Sequence, residues 1–459
     1  MRFFAISLTA LSRHLRAPAL ASLALISAIG IAQATPRVEQ WTAPTGVKVY
    51  FVASNELPMI DIQIDFAAGS AFDPSGKSGV ASFTRNLLEA GAGSLNEQAI
   101  SDRAADLGLI LGGSTSEDRA NLTMRTLSST QERDESIALV ATILAQPRFP
   151  AEVLERERVR ALAHLREALT KPAVLASRAF QAAIYAGHPY GINSDEKSLS
   201  SITHKDLIAF HARYYSAQNA SIAIVGNLDR ATAEKIAIVL TQNLPAGGKV
   251  EPLHMPSLPG ESQTTRIANP STQAHILIGQ PGMSRDDPDY FPLLVGNHIL
   301  GGGGFTSRLM KEVREKRGLV YDIHSYFDPR RVLGPFEIGL QTKGSQSATA
   351  LEVVRSALTT FINEGPTEKE LQTARDNIAN CFGLRLDSNA KILGYISMIG
   401  FYGLPLDWLE QYPRAVNAVS REEIRNAFSR RVHPNRLITV IAGGDGDKNE
   451  SAGKAATKP

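Results

Sequence analysis

A single cysteine, Cys381, is all that 459 residues contain. It has no partner for an internal disulfide, and in an exported chain it is expected to be a buried thiol rather than a reactive one. An excess of charge is also lacking. The 48 Lys and Arg against 46 Asp and Glu leave a formal +2. Three of the arginines (Arg2, Arg13, Arg16) lie in the first 34 residues, which hold no acid, so loss of that segment brings the charge to −1. No global basicity then remains of the kind nucleic acid demands. Beyond residue 34 there are no long apolar runs, which argues against membrane-spanning helices in the mature chain.

What the chain does contain begins with residues 1–34. Arg13 and Arg16 precede the apolar run Ala19–Ala32, and Ala32-Gln33-Ala34 offers a small-residue cleavage site. That is the three-part form of a secretory signal peptide, with an uncleaved anchor as the minority reading. The expected destination is a bacterial periplasm. With 43% hydrophobic and 20% charged residues the remainder is globular rather than disordered, and its length calls for two or more domains.

An internal duplication divides the chain. Residues 202–226 and 419–443 align without a gap. Each has an N-cap (Thr203, Ser420), an acidic first turn, an amphipathic helix, a bend and an apolar strand ending in Gly. The stretch 246–263 is rich in Gly and Pro and reads as a linker. The expected organisation is therefore a first domain over 35–245, a homologous second domain over 264–443, and a polar, disordered tail over 444–459. In the first domain 46–52 and 60–66 alternate apolar and polar residues as half-buried strands do, and helices are expected near 79–91, 98–107, 130–145, 151–169 and 175–186. In the second, 274–280 reads as a strand and 289–300, 306–317, 346–363 and 367–382 as helices. Sheets backed by helices on one face, made twice, give an α+β fold.

After strand Met59–Ala67 the chain turns through GSAFDPSGKSG and enters a helix at Val80. This resembles the opening of the pitrilysin/insulinase metallopeptidases, which include the mitochondrial processing peptidases. That family follows G-S-x-x-[ED]-P-x-G-x-x-G with His-x-x-Glu-His on the helix. Here Ser82, Arg85 and Asn86 hold the positions of the first His, the Glu and the second His. Their i, i+3, i+4 spacing is expected to put them on one face. The family's remaining ligand, a Glu seven residues after another acid, falls on His164 after Glu157. Hydroxyl and amide oxygens are poor zinc ligands, a fixed Arg cation cannot take water's proton, and one imidazole makes no site. No metal is expected on this chain.

The second domain keeps what the first has lost. The segment Phe305–Phe327 matches the family pattern S-R-L-[MF]-x-E-[VL]-R-E-[KR]-x-G-L-x-Y, whose Arg and Tyr contact the bound peptide and whose Tyr helps stabilise the tetrahedral intermediate. The resemblance carries these roles to Arg314 and Tyr321. Their plainer reading is an Arg that favours a helix dipole and an ordinary strand Tyr. A helix from about Thr306 ending at Gly318, then a strand from Leu319, would bring both ends toward one point.

The resemblance spans nearly all of 36–443. It implies two homologous domains, each a largely antiparallel sheet backed by helices, clasped about a peptide-holding space. It also implies a division of labour. This chain would be the non-catalytic subunit of a periplasmic heterodimer whose zinc-bearing homologous partner carries the metal. Arg314 and Tyr321 would act in trans on a peptide or unfolded segment. The rival reading is a stand-alone peptide-binding or chaperone-like protein, and a third, a single-chain zinc peptidase, would need unconventional ligands such as His164. Gly301–Gly304 reads as a hinge or tight turn, since no phosphate-loop Lys follows. Ser82 has no nucleophile elbow, and His204 with His211 reads as a surface pair.

Overall fold

The computed structural model describes residues 36–444, so the expected signal segment 1–34 and all but the first residue of the expected tail 444–459 lie outside the described residues. Among the described residues, Arg37 to Gly444 packs as one unit. It contains two large sheets. The first runs, in spatial order, Glu39–Thr42, Lys48–Ala53, Ala220–Gly226, Met59–Phe66, Ala120–Leu127 and Ile110–Gly112. The second runs Gln263–Ile267, Ile438–Gly443, Gln273–Met283, Gly334–Lys343 and Val320–Phe327. Apart from the extra first strand the two orders are the same. In each the one parallel pair joins an early strand to the last, Lys48–Ala53 with Ala220–Gly226 and Gln263–Ile267 with Ile438–Gly443. The other pairs are antiparallel.

The duplicated segments become equivalent helix–strand units. Helices His204–Tyr214 and Arg421–Arg431 each open with a capping box, Thr203 with Asp206 and Ser420 with Glu423. These reciprocal bonds satisfy amide groups the first turn would leave unpaired. His211 is buried rather than part of a surface pair, because its helix face turns to the core. Its Nε2 donates to the Leu144 carbonyl at 2.8 Å, and His204 Nε2 donates to Arg148 at 2.9 Å. Cys381 corrects the opposite way. It is the C-cap residue of helix Glu368–Asn380, past Ile378, the last buried residue of that helix, and is exposed.

One face of each sheet carries helices of its own half. The other face carries a helix of the opposite half. Helix Asn389–Tyr402 lies on strands Lys48–Ala53, Ala220–Gly226 and Met59–Phe66, while helix Pro172–Ile184 lies on Ile438–Gly443 and Gln273–Met283. The first contact is close: a Cβ at Gly400 would lie 2.6 Å from the Tyr50 ring. The expected half-buried strand Met59–Phe66 is therefore buried on both faces, its polar residues Asp61, Gln63 and Asp65 included.

Polar groups in such a junction need partners. Asp65, fully buried, accepts from Ser397 Oγ at 2.6 Å, Gln63 Nε2 at 2.8 Å and Arg119 Nη1 at 3.0 Å. Burial pushes its carboxyl up, against the pull of Arg119 and these donors. Asp118, also buried, accepts from the Tyr190 hydroxyl, from the Tyr402 hydroxyl at 3.0 Å and from the Arg331 amide at 2.8 Å. Two of these donors come from the second half.

Asp118→Ala would strand two hydroxyls and an amide, so it should cost about 3 kcal/mol or more of stability, read from urea unfolding. Burial lowers His211 from 6.5 to about 4, outweighing its bond to Leu144. The unfolded chain then takes a proton that the fold refuses. Stability should fall as pH drops from about 6.5 to about 4, by about 3 kcal/mol, and His211→Gln should flatten that slope.

Candidate functional site

The helix at the metal-motif position is Val80–Asn86. Asp73, from the preceding turn, ties down its start by accepting from the amides of Gly79 at 2.8 Å and Ala81 at 2.7 Å. Val80, Ala81, Phe83 and Thr84 are buried, which fixes how the helix rolls on the sheet. Ser82 and Asn86 then emerge into a groove of about 530 Å³. His164 and Glu157, from helix Ala151–Ala168, line the same groove, over a floor that includes Phe83, Leu165 and Leu199. Three of the four degenerate positions thus come together.

Arg85 does not join them. It lies about 100° round the helix from Asn86 and points inward, only 4% exposed. Its Nε donates to the Asn121 carbonyl at 2.5 Å and its Nη1 to Glu89 Oε1 at 3.2 Å. Gly113, in a left-handed conformation at φ +145°, makes the room: a Cβ there would lie 2.4 Å from Arg85 Nη2. The residue at the general-base position has become a buried tie between the helix and strand Ala120–Leu127. The expected common face is corrected accordingly.

Zinc does not fit this donor set. One imidazole, one hydroxyl and one amide face the groove, and Glu157 is held by Arg156 at 2.8 Å and Arg160 at 2.7 Å. Among the described residues no three or more His, Cys, Asp or Glu side chains gather as a metal site would require.

The second constellation lies on the second half. Of the expected helix from Thr306, the first residues form a tight turn, Gly304–Thr306, and 308–315 is helical, π-wound over Met310–Glu315. Gly301 and Gly302 close a preceding π-helical segment, His298–Gly302, so the expected hinge or tight turn is confined to Gly303 and Gly304. Gly318, at φ +62°, ends the helical stretch 308–315, donating to the Arg314 carbonyl at 2.8 Å, while Leu319 donates to Val313 at 3.1 Å. Arg314 places its guanidinium 5.0 Å from the exposed Phe305 ring and its Nη1 3.9 Å from Met310 Sδ. It makes no ion pair among the described residues. Tyr321 sits at a β-bulge, between the pairs Val320–Thr342 and Asp322–Gln341, on the outermost strand of the second sheet. It is 69% exposed. No hydrogen bond joins Arg314 to Tyr321; both polar ends are left unengaged by carboxylates.

Sequence reasoning missed the bulge, the π-helical turn and the exposed Phe305. The last had a signal, a large apolar residue directly after four glycines.

Fold and site together define a two-part peptidase-like chain whose metal-binding positions have been replaced. Residues 49–194 match the insulinase family (peptidase family M16), and 201–378 match the peptidase M16 inactive domain. A solved peptidase M16 inactive domain from Pseudomonas fluorescens is 38% identical, with a TM-score of 0.85 over 88% of this chain and 98% of that one. A non-peptidase homolog, YmxG of Helicobacter pylori, is 23% identical over 412 residues, 89% of this chain and 94% of the relative. A solved protease from Helicobacter pylori, 19% identical, shares the fold with a TM-score of 0.80 over 88% of this chain and 99% of that one. This chain belongs to the M16 peptidase family, and within it to the inactive members.

The inward turn of Arg85 makes a prediction. Arg85→Ala removes a buried, hydrogen-bonded cation and should lower stability by about 3 kcal/mol, whereas Ser82→Ala and Asn86→Ala on the exposed face should each stay within about 0.5 kcal/mol. Urea midpoints of the three variants give the comparison.

Proposed function

We propose that this chain is the non-catalytic subunit of a periplasmic heterodimeric zinc metallopeptidase. It binds peptide and supplies Arg314 and Tyr321 to the active site of a zinc-bearing homologous subunit. The observation that carries the reading is the contrast between the two constellations. Arg85 is consumed by the fold, whereas Arg314 and Tyr321 are held on a shaped turn and bulge with no carboxylate partner among the described residues. An exposed phenol donor is suited to stabilise a developing oxyanion, and a cation that reaches the bound substrate would add to it.

The division between two chains has further support. The face of each sheet that meets the opposite half is occupied by an exchanged helix, so a peptide-holding chamber is better formed against a second subunit. Strand Val320–Phe327 is an outer strand, and an extended substrate can add to such an edge through main-chain hydrogen bonds. The periplasmic assignment rests on the signal-like residues 1–34.

Fluorogenic-peptide hydrolysis should be measured for this chain, for a homologue with an intact His-x-x-Glu-His, and for the mixture, with zinc present. Activity should appear or rise sharply only on mixing, and Tyr321→Phe should cut it by about 10²-fold. Arg314→Ala should lower it as well. No gain on mixing, with saturable peptide binding by this chain alone, would replace this reading with that of a stand-alone peptide-binding protein.

A further inference from the structure

Three parts of the chain meet at a cavity of about 420 Å³, separate from both constellations above. The first sheet contributes Lys48 and Ser221, the segment connecting the halves contributes Lys249, and the second half contributes Arg331 beside the exit of helix Asn389–Tyr402. Lys48 and Ser221 are direct neighbours across the parallel strand pair, so their side chains share the sheet face on which the exchanged helix lies. Among the described residues none of the three cations forms an ion pair. Glu251 is the lone acid of the lining.

The cavity is held in shape rather than being a gap between mobile side chains. Asn219 brackets Lys249, its Nδ2 donating to the Gly248 carbonyl at 2.8 Å and its Oδ1 accepting from the Val250 amide at 3.2 Å. Arg331 donates to the Phe401 carbonyl at 3.0 Å and stacks 4.4 Å from the Phe401 ring centroid. Phe72, Phe401, Val250 and Pro252 supply apolar wall. Ser221, only 7% exposed, has a buried Oγ with no hydrogen-bond partner, and such groups in native folds call for an explanation.

We infer that this junction binds a carboxylate carried on an apolar or aromatic group, such as a peptide C-terminus or a free organic acid. The cations take the carboxylate and the two phenylalanines take its substituent, while Ser221 Oγ lies sealed beneath the wall of the cavity. Placement where two halves and their connection meet is a common setting for ligand pockets. A ligand here would touch all three parts at once and stabilise their junction.

Calorimetric titration of the full chain tests this with acetyl-Ala-Phe, its C-terminal amide, phenylacetate and inorganic phosphate. The free-acid peptide should bind at least about tenfold more tightly than the amide, the factor one charge-assisted contact supplies. The double variant Lys48→Gln/Lys249→Gln, changed at exposed positions that pair with nothing, should keep the wild-type melting temperature and lose a similar factor. Phenylacetate matching the peptide acid assigns the site to free organic acids, and a clear advantage of the peptide assigns it to a peptide terminus. Equal binding of acid and amide, phosphate binding as tightly as the acid, unchanged affinity in the double variant, or no binding up to about 10 mM would each overturn the proposal.

Discussion

Reciprocal exchange of one helix between the halves is the constraint on which the rest of this structure depends. A sheet needs apolar cover on both faces if both are to be dry, and neither half supplies it alone. The core around the second sheet runs on into the first, with Val52, Ala223 and Val225 in one cluster with Ile392, Ile396 and Ile399. Because the exchanged helices bury polar strand residues as well, the junction must also solve a hydrogen-bonding problem. Asp65 and Asp118 solve it with donors from both halves. Such groups are costly if one partner is removed, which makes the junction all-or-none rather than a loose contact between neighbours.

That rigidity separates the fates of the degenerate positions. Ser82, Asn86 and His164 still look into a groove, while Arg85 has been drawn into the packing. A cation at this position is compatible with the fold because Gly113 leaves space and the Asn121 carbonyl receives it. The loss of metal chemistry is thus built into backbone contacts and extends beyond three exchanged side chains.

Much of the architecture was legible in the sequence, for reasons that were local. The capping residues Thr203 and Ser420 and the repeated helix–strand pattern announced the duplication, and the matched sheet orders follow from it. Helix 151–169 was readable from its one-sided apolar stripe, and its observed limits are Ala151–Ala168. Helix Asn389–Tyr402 was not read at all. It is apolar round much of its circumference, so it lacks the one-sided stripe that marks a surface helix, and only its burial against the other half explains that composition. The same helix explains why Asp61, Gln63 and Asp65 misled: alternation reports which side chains are polar, and not whether that side is wet. The roll of Arg85 and the bulge at Tyr321 depend on packing and register, which spacing alone does not carry.

The outer strands of the two sheets have diverged in length. In the first half the outermost strand is three residues, Ile110–Gly112, while its counterpart Val320–Phe327 has eight. A long unpaired edge invites sticking to another copy, and proteins guard such edges with irregular backbone and outward charge. Here the bulge at Tyr321 kinks the strand, and Asp322 with the adjoining His324 ring at 3.2 Å places polar groups along it. The local distortion that turns Tyr321 outward is therefore also the kind of irregularity that discourages a second copy from pairing along the full length of this edge.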